Sequence, residues 1–188
     1  MGGFRLKKTF FMRGTGGQGV QVVGMMLLHT VEELGGYATF YPEYGASKRG
    51  GFSQCAVMTS DEPIRSFTAQ AFDVAVVLNE DSYEKFGGAV KPGGVLIYNS
   101  SLIARVAPAE GITVLGVPFD ELARELGSQK VMNTLVYGFL MAYTGLMGID
   151  GARRVVEEAI GGRESLRELN EAALERGFAE AEKYTAKK

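Results

Sequence analysis

Four glycines, Gly14, Gly16, Gly17 and Gly19, fall within six residues between a short apolar run and a long one, in "KKTFFMRGTGGQGVQVVGMMLL". Before them, "TFFMR" reads as a strand. After them, Val20, Val23, Leu27, Val31 and Leu34 recur at helical spacing, and Gly35 and Gly36 stop the helix. A strand, a glycine turn and a helix in that order constrain the chain to an α/β layering, because the helix must cover the sheet that the strand belongs to. Gly14, Gly16 and Gly19 also satisfy the G-x-G-x-x-G spacing in its proper context. Such a turn lets backbone amides approach a ligand without hindrance from Cβ, and the helix start aims further unpaired N–H groups at the same spot. A phosphate, a carboxylate or a neighbouring chain's backbone fits there. So does a tight turn that needs glycine only for its dihedrals and close packing.

Downstream, "YATFY", "FSQCAVMTS", "FDVAVVLN", "GGVLIYN" and "GITVLGVP" read as strands, the last three being short continuous apolar runs that suit strands covered on both faces. A helix opens at Asp120, read as its cap, and the C-terminal third is helical. Ser165 with Glu168 spells a capping box ahead of a stripe of Leu166, Leu169, Ala173 and Leu174, which Gly177 interrupts or ends. The expected fold is a single domain over residues 1–188, a doubly wound, mostly parallel, Rossmann-like sheet with helices on both faces. With the first two strands as parallel neighbours, the loop "PEYGASKRGG" leaves beside the glycine turn, and Ser47, Lys48 and Arg49 add a hydroxyl and two cations to it. Glu43 is the available acid for a dinucleotide's ribose, placed in that loop behind Pro42. A solvated or partner-facing basic loop is the other reading.

Composition excludes several classes of function. A net charge of −2 gives no general attraction to nucleic acid or an anionic bilayer. The single cysteine, Cys55, excludes an internal disulfide framework and an iron–sulfur cluster held by this chain alone. "VMNTLVYGFLMAYTGLMGID", residues 131–150, is nearly as long as a membrane span, but Asn133, Thr134, Tyr137, Tyr143 and Thr144 break it, so it reads as a helix buried in a core or a subunit contact. The opening "MGGFRLKKTFF" carries charge but too short an apolar run for export, and the expected compartment is the cytoplasm. No catalytic set stands out. His29 lies off the apolar stripe, Cys55 sits within a strand, and Asp61-Glu62 and Glu157-Glu158 read as solvated charges.

Five segments in register, "GTGGQGV", "YGASKRGG", "SDEPI", "GVPFDELARELGSQKVMNTLVYG" and "LRELNEAALERG", resemble the gamma subunit of 2-oxoacid:ferredoxin oxidoreductases over nearly the whole chain. The resemblance implies a complex that converts a 2-oxoacid and coenzyme A into acyl-CoA and carbon dioxide and reduces ferredoxin. It places thiamine diphosphate, magnesium and the iron–sulfur clusters on alpha, beta and, in some members, delta subunits, with no cofactor held by this chain alone. The matched positions are Gly14, Gly16, Gly17, Gln18 and Gly19 in the turn, Tyr44, Gly45, Arg49, Gly50 and Gly51 in the loop, and Asn133, expected to hydrogen-bond a neighbouring loop. The candidate ligand set is Gly14, Thr15, Gly16, Gly17, Gln18, Gly19, Ser47, Lys48 and Arg49, facing coenzyme A or a partner subunit, with a homodimer expected when partners are absent. A free-standing dinucleotide-binding oxidoreductase and a ligand-free interaction module are the alternatives.

Overall fold

In a computed structural model of the chain, the described residues are 7–45, 51–66, 69–107, 109–160 and 166–185. Strands β1 (Lys8–Thr15), β2 (Tyr37–Tyr44), β3 (Phe52–Ser60), β4 (Phe72–Val77), β5 (Val90–Asn99) and β6 (Thr113–Val117) form one sheet in the order β2-β3-β1-β4-β5-β6. Helices α1 (Val20–Glu33), α2 (Glu80–Phe86), α3 (Phe119–Glu125), α4 (Met132–Thr144), α5 (Ile149–Ile160) and α6 (Arg167–Thr185) surround it. The mixed sheet bears out the α/β reading. β1, β4, β5 and β6 run parallel, whereas β3 is antiparallel to both β1 and β2.

That arrangement corrects the expectation that β1 and β2 are neighbours. Only residues 45–51 join β2 to β3, and a parallel crossover needs a dozen or more, so the chain folds back as a hairpin and β3 takes the place beside β1. β2 still points the same way as β1. Glu43 is therefore inside β2, opposite Gln54, and not in a loop at the strand's tip.

Alternation along the strands divides the core in two. Phe10, Met12, Val57, Val74, Val76 and Ile97 face the thick side, where α1 and the C-terminal helices pack. Phe11, Ala56, Ala75, Val77 and Leu96 face the thin side, covered by Tyr83 and Phe86 of α2 and by Ile103. α1 starts at Gly19 and closes with the two backbone bonds of a Schellman motif, Gly35 N–H to Glu32 and Gly36 N–H to Val31, with Gly35 at φ 75°. The apolar run of residues 131–150 supplies α4, buried along most of its length against α6. Among the described residues no helix is long and apolar enough to cross a membrane.

Two local readings change. α3 begins at Phe119 after Pro118, so Asp120 lies inside the first turn and accepts from Asn99 rather than capping the helix. α6 runs unbroken through Gly177, which is buried where α6 crosses α4. Ser165, half of the expected capping box, lies outside the described residues.

Candidate functional site

The glycine turn sits at the carboxyl end of β1, between α1 on the thick side and the β4–α2 turn, which is the position where ligands enter open α/β sheets. Thr15 C=O accepts from Gln18 N–H at 3.1 Å, and Gln18 folds back so that its Oε1 accepts from Thr15 N–H at 2.7 Å. A Cβ on Gly14 would strike that oxygen. Gly19 occupies the left-handed region at φ 75°, and a Cβ there would lie 2.7 Å from Asn133 Cβ. Asn133 thus meets the turn by packing, while its Oδ1 accepts from Thr134 N–H at 2.9 Å. The first α1 amide bonded back into the helix is that of Val23, to Gly19 C=O, and among the described residues the preceding amides have neither a side-chain cap nor an acidic residue in the first turn. A helix start of this kind favours an anion.

The β2–β3 hairpin is fastened against this turn. Gly16 N–H donates to Gly51 C=O at 2.8 Å, and Gly45 N–H donates to Phe52 C=O at 2.9 Å. From the first turn of α1, Gln21 Nε2 reaches Gln54 C=O at 2.8 Å and Ser53 Oγ at 3.1 Å. Both ends of the loop therefore lie beside the turn, as the sequence reading required, although through a hairpin. Ser47, Lys48 and Arg49 themselves lie outside the described residues. Gly14, Thr15, Gly16, Gly17, Gln18 and Gly19 are brought together.

Asn79, Asn99, Arg13, Gln54 and Asp81 are polar residues at the same edge that the sequence patterns do not single out. Gln18 Nε2 and Asn99 Nδ2 both donate to Leu78 C=O, at 3.4 and 3.2 Å. Asn99, fully buried, also donates to Asp120 Oδ2 at 2.5 Å. Asn79 caps α2 through Ser82 N–H at 2.9 Å. On the thin side Arg13, only 3% exposed, bonds Gln54 Oε1 through Nη1 and Asp81 Oδ2 through Nη2 at 3.3 Å. Gln54 Nε2 in turn donates to Glu43 Oε2 at 2.7 Å, which occupies the acid considered for a ribose. The Lys85 hydrogen bond, followed by that of Arg13, holds the Asp81 carboxyl below the usual carboxylate range. Asparagine caps and strand-end asparagines are readable signals; the Arg13 assembly joins residues too distant in sequence to be read.

Neither lone nucleophile candidate is poised for chemistry. Cys55 is 1% exposed on the thick side, and burial pushes its thiol up to about 12, so the thiolate is scarce at neutral pH. His29 pairs with Glu32 at 3.2 Å on the outer side of α1. Among the described residues no group of three or more His, Cys, Asp or Glu side chains is placed to hold a metal ion. Backbone amides, amide side chains and a fixed cation offer recognition and positioning.

Comparison with known proteins agrees with this architecture. The family model for pyruvate ferredoxin/flavodoxin oxidoreductase matches residues 9–180. Ketoisovalerate oxidoreductase subunit VorA of Methanothermobacter thermautotrophicus is 35% identical over 166 residues, covering 87% of this chain and 34% of that protein, so the chain spans about a third of that relative. 2-Oxoglutarate synthase subunit KorC of Archaeoglobus fulgidus is 32% identical over 177 residues, covering 93% of this chain and 88% of that one. The gamma subunit of keto/oxoacid ferredoxin oxidoreductase from Geobacter sulfurreducens superposes with a TM-score of 0.82 at 26% identity, covering 94% of this chain and 97% of that one. The chain belongs to the pyruvate ferredoxin/flavodoxin oxidoreductase family.

Proposed function

We propose that this chain is the gamma subunit of a cytoplasmic 2-oxoacid:ferredoxin oxidoreductase, assembled with alpha, beta and, in some assemblies, delta subunits, and that it presents an anion cradle to coenzyme A. The complex cleaves the bond between the carboxylate and the 2-carbonyl carbon, releases carbon dioxide, joins the acyl group to the coenzyme A thiol and passes two electrons to ferredoxin. Thiamine diphosphate, held by a partner, would supply the electron sink that this decarboxylation needs. The observation that carries the reading is the Gly16 N–H to Gly51 C=O bond, which fastens the hairpin beside the uncapped start of α1. In this reading Gly14, Thr15, Gly16, Gly17, Gln18 and Gly19 supply the backbone cradle, and Ser47, Lys48 and Arg49 add a hydroxyl and two cations for phosphate groups. The names of the VorA, KorC and gamma-subunit relatives support the class of reaction. They differ in oxoacid.

The cradle has a direct kinetic test. Lys48→Ala with Arg49→Ala in the assembled complex should raise the coenzyme A KM about tenfold or more, the loss of charge-assisted bonds of roughly 1.5 kcal/mol, with the 2-oxoacid KM within about twofold. An unchanged coenzyme A KM in an intact complex rejects the cradle and leaves a subunit that braces its partners.

A further inference from the structure

Resting on that reading of the site, we propose that Arg13 is its positioning residue: one buried cation that sets where the β2–β3 hairpin stands relative to the glycine turn. Arg13 immediately precedes Gly14, yet its side chain leaves the turn and enters the thin side of the sheet. Its guanidinium lies 4.1 Å from the centroid of the Phe52 ring and 4.8 Å from that of Phe86, a stack of two aromatic faces around one cation. Nη1 meets Gln54, Nη2 meets Asp81, and Gln54 carries the connection on to Glu43 in β2. The cation therefore ties its own strand to β3, to β2 and to α2. These are the elements that lead into the turn, the hairpin and the β4–α2 corner.

Stability alone does not account for this arrangement. A buried charge is costly unless it is fully paired, and replacement by well-packed apolar residues is often neutral or favourable. Here Nε has no partner among the described residues, and the carboxylate that serves Nη2 is 56% exposed and shared with Lys85. What the guanidinium supplies instead is direction. Its planar fork fixes Gln54 and Asp81 at set angles, and the two rings hold the plane, a geometry that a lysine ammonium cannot reproduce. Phe52 adjoins Gly51, whose carbonyl accepts from Gly16 N–H, so a shift of the Arg13 stack is passed to the turn through two residues.

The experiment reads the full chain by amide hydrogen exchange and the assembled complex by steady-state kinetics. Arg13→Met should speed exchange of the Gly16 amide about tenfold, while amides of β4 and β5 stay within about twofold, because local opening is decoupled from global unfolding. Arg13→Lys should fall between Arg13→Met and the unaltered chain. Where Arg13→Met fails to fold, Gln54→Leu cuts the link to Glu43 and leaves the cation in its stack; it should give the same pattern at about threefold. Unchanged Gly16 exchange, or a uniform rise over all amides, overturns the proposal, since a merely structural role moves everything or nothing. In the complex, Arg13→Met should raise the coenzyme A KM with little change in the 2-oxoacid KM. Faster Gly16 exchange with an unchanged coenzyme A KM upholds Arg13 as the positioning residue and removes coenzyme A from the site.

Discussion

Gly16 and Gly19 belong to one motif and answer to different constraints. Gly19 combines a left-handed φ of 75° with a side chain's space already filled by Asn133, so Gly19→Ala meets both strain and collision. Its expected cost is about 2–3 kcal/mol, roughly 4–12 °C in Tm for a domain of this size. Gly16 has no such φ, and among the described residues an added Cβ would meet only Gly51 C=O at an ordinary 3.5 Å. Gly16→Ala should keep stability within about 0.5 kcal/mol of the unaltered chain. Calorimetry of the two variants checks both values, and equal losses would contradict this division. The spacing of the glycines was legible in the sequence, but their separate reasons were not. Asn133 comes from α4, far along the chain, and only the folded packing brings it to Gly19.

At the scale of elements, α4 and α6 touch backbone to backbone. A Cβ on Gly177 would collide with Leu135 C=O and lie 2.8 Å from Phe139 N, and one on Gly138 would lie 2.7 Å from Leu174 C=O. Helix propensity alone would make Gly177→Ala stabilising by up to about 1 kcal/mol. Forced separation of two buried helices outweighs that gain, and the predicted outcome is a net loss of about 2 kcal/mol, read as a lower midpoint in urea. A higher midpoint would contradict the close crossing. From sequence, Gly177 reads as a break because glycine is a poor helix former; tertiary packing reverses its meaning. α2 is legible only at its ends, since Asn79, the acidic Glu80 and Asp81 and the late Lys85 are helix-end signals on a helix too short to show an apolar period. The hairpin, too, is readable from the ten residues of "PEYGASKRGG" between two strands, too few for a crossover.

Across the whole molecule, the two ends of the sheet have different tasks. The carboxyl edge carries the glycine turn, while the opposite edge is laced by Asp73, which accepts from Thr9 N–H and Oγ1, both at 2.7 Å, and from Lys91 Nζ at 2.9 Å. Burial pushes the Asp73 carboxyl up, and the bonds from Lys91 and Thr9 together outweigh it and hold the group below its ordinary 3.8. A depressed folded-state value means stability that is present above 3.8 and lost as pH falls through the lower, folded value. Asp73→Asn should therefore be less stable than the unaltered chain by a constant margin from pH 7 to about 5, and the margin should shrink below 3.8, measured by urea midpoints. A margin that persists at pH 3 would deny this role. The lateral edges differ as well. β6 is fastened by Tyr184, whose hydroxyl donates to Gly116 C=O at 2.5 Å, whereas β2 ends the sheet with Tyr37 and Tyr44 exposed.

In the proposed function this chain binds and positions while its partners carry the redox chemistry. Reconstitution tests it most directly. The purified chain and the separately purified partner subunits are assayed under argon for coenzyme A-dependent ferredoxin reduction across a panel of 2-oxoacids. The expected result is no turnover from the chain alone and a gain of coenzyme A-dependent activity when it is added to its partners. Ferredoxin reduction by the homogeneous chain, or full activity of the partners without it, would show that the redox chemistry is not divided in this way.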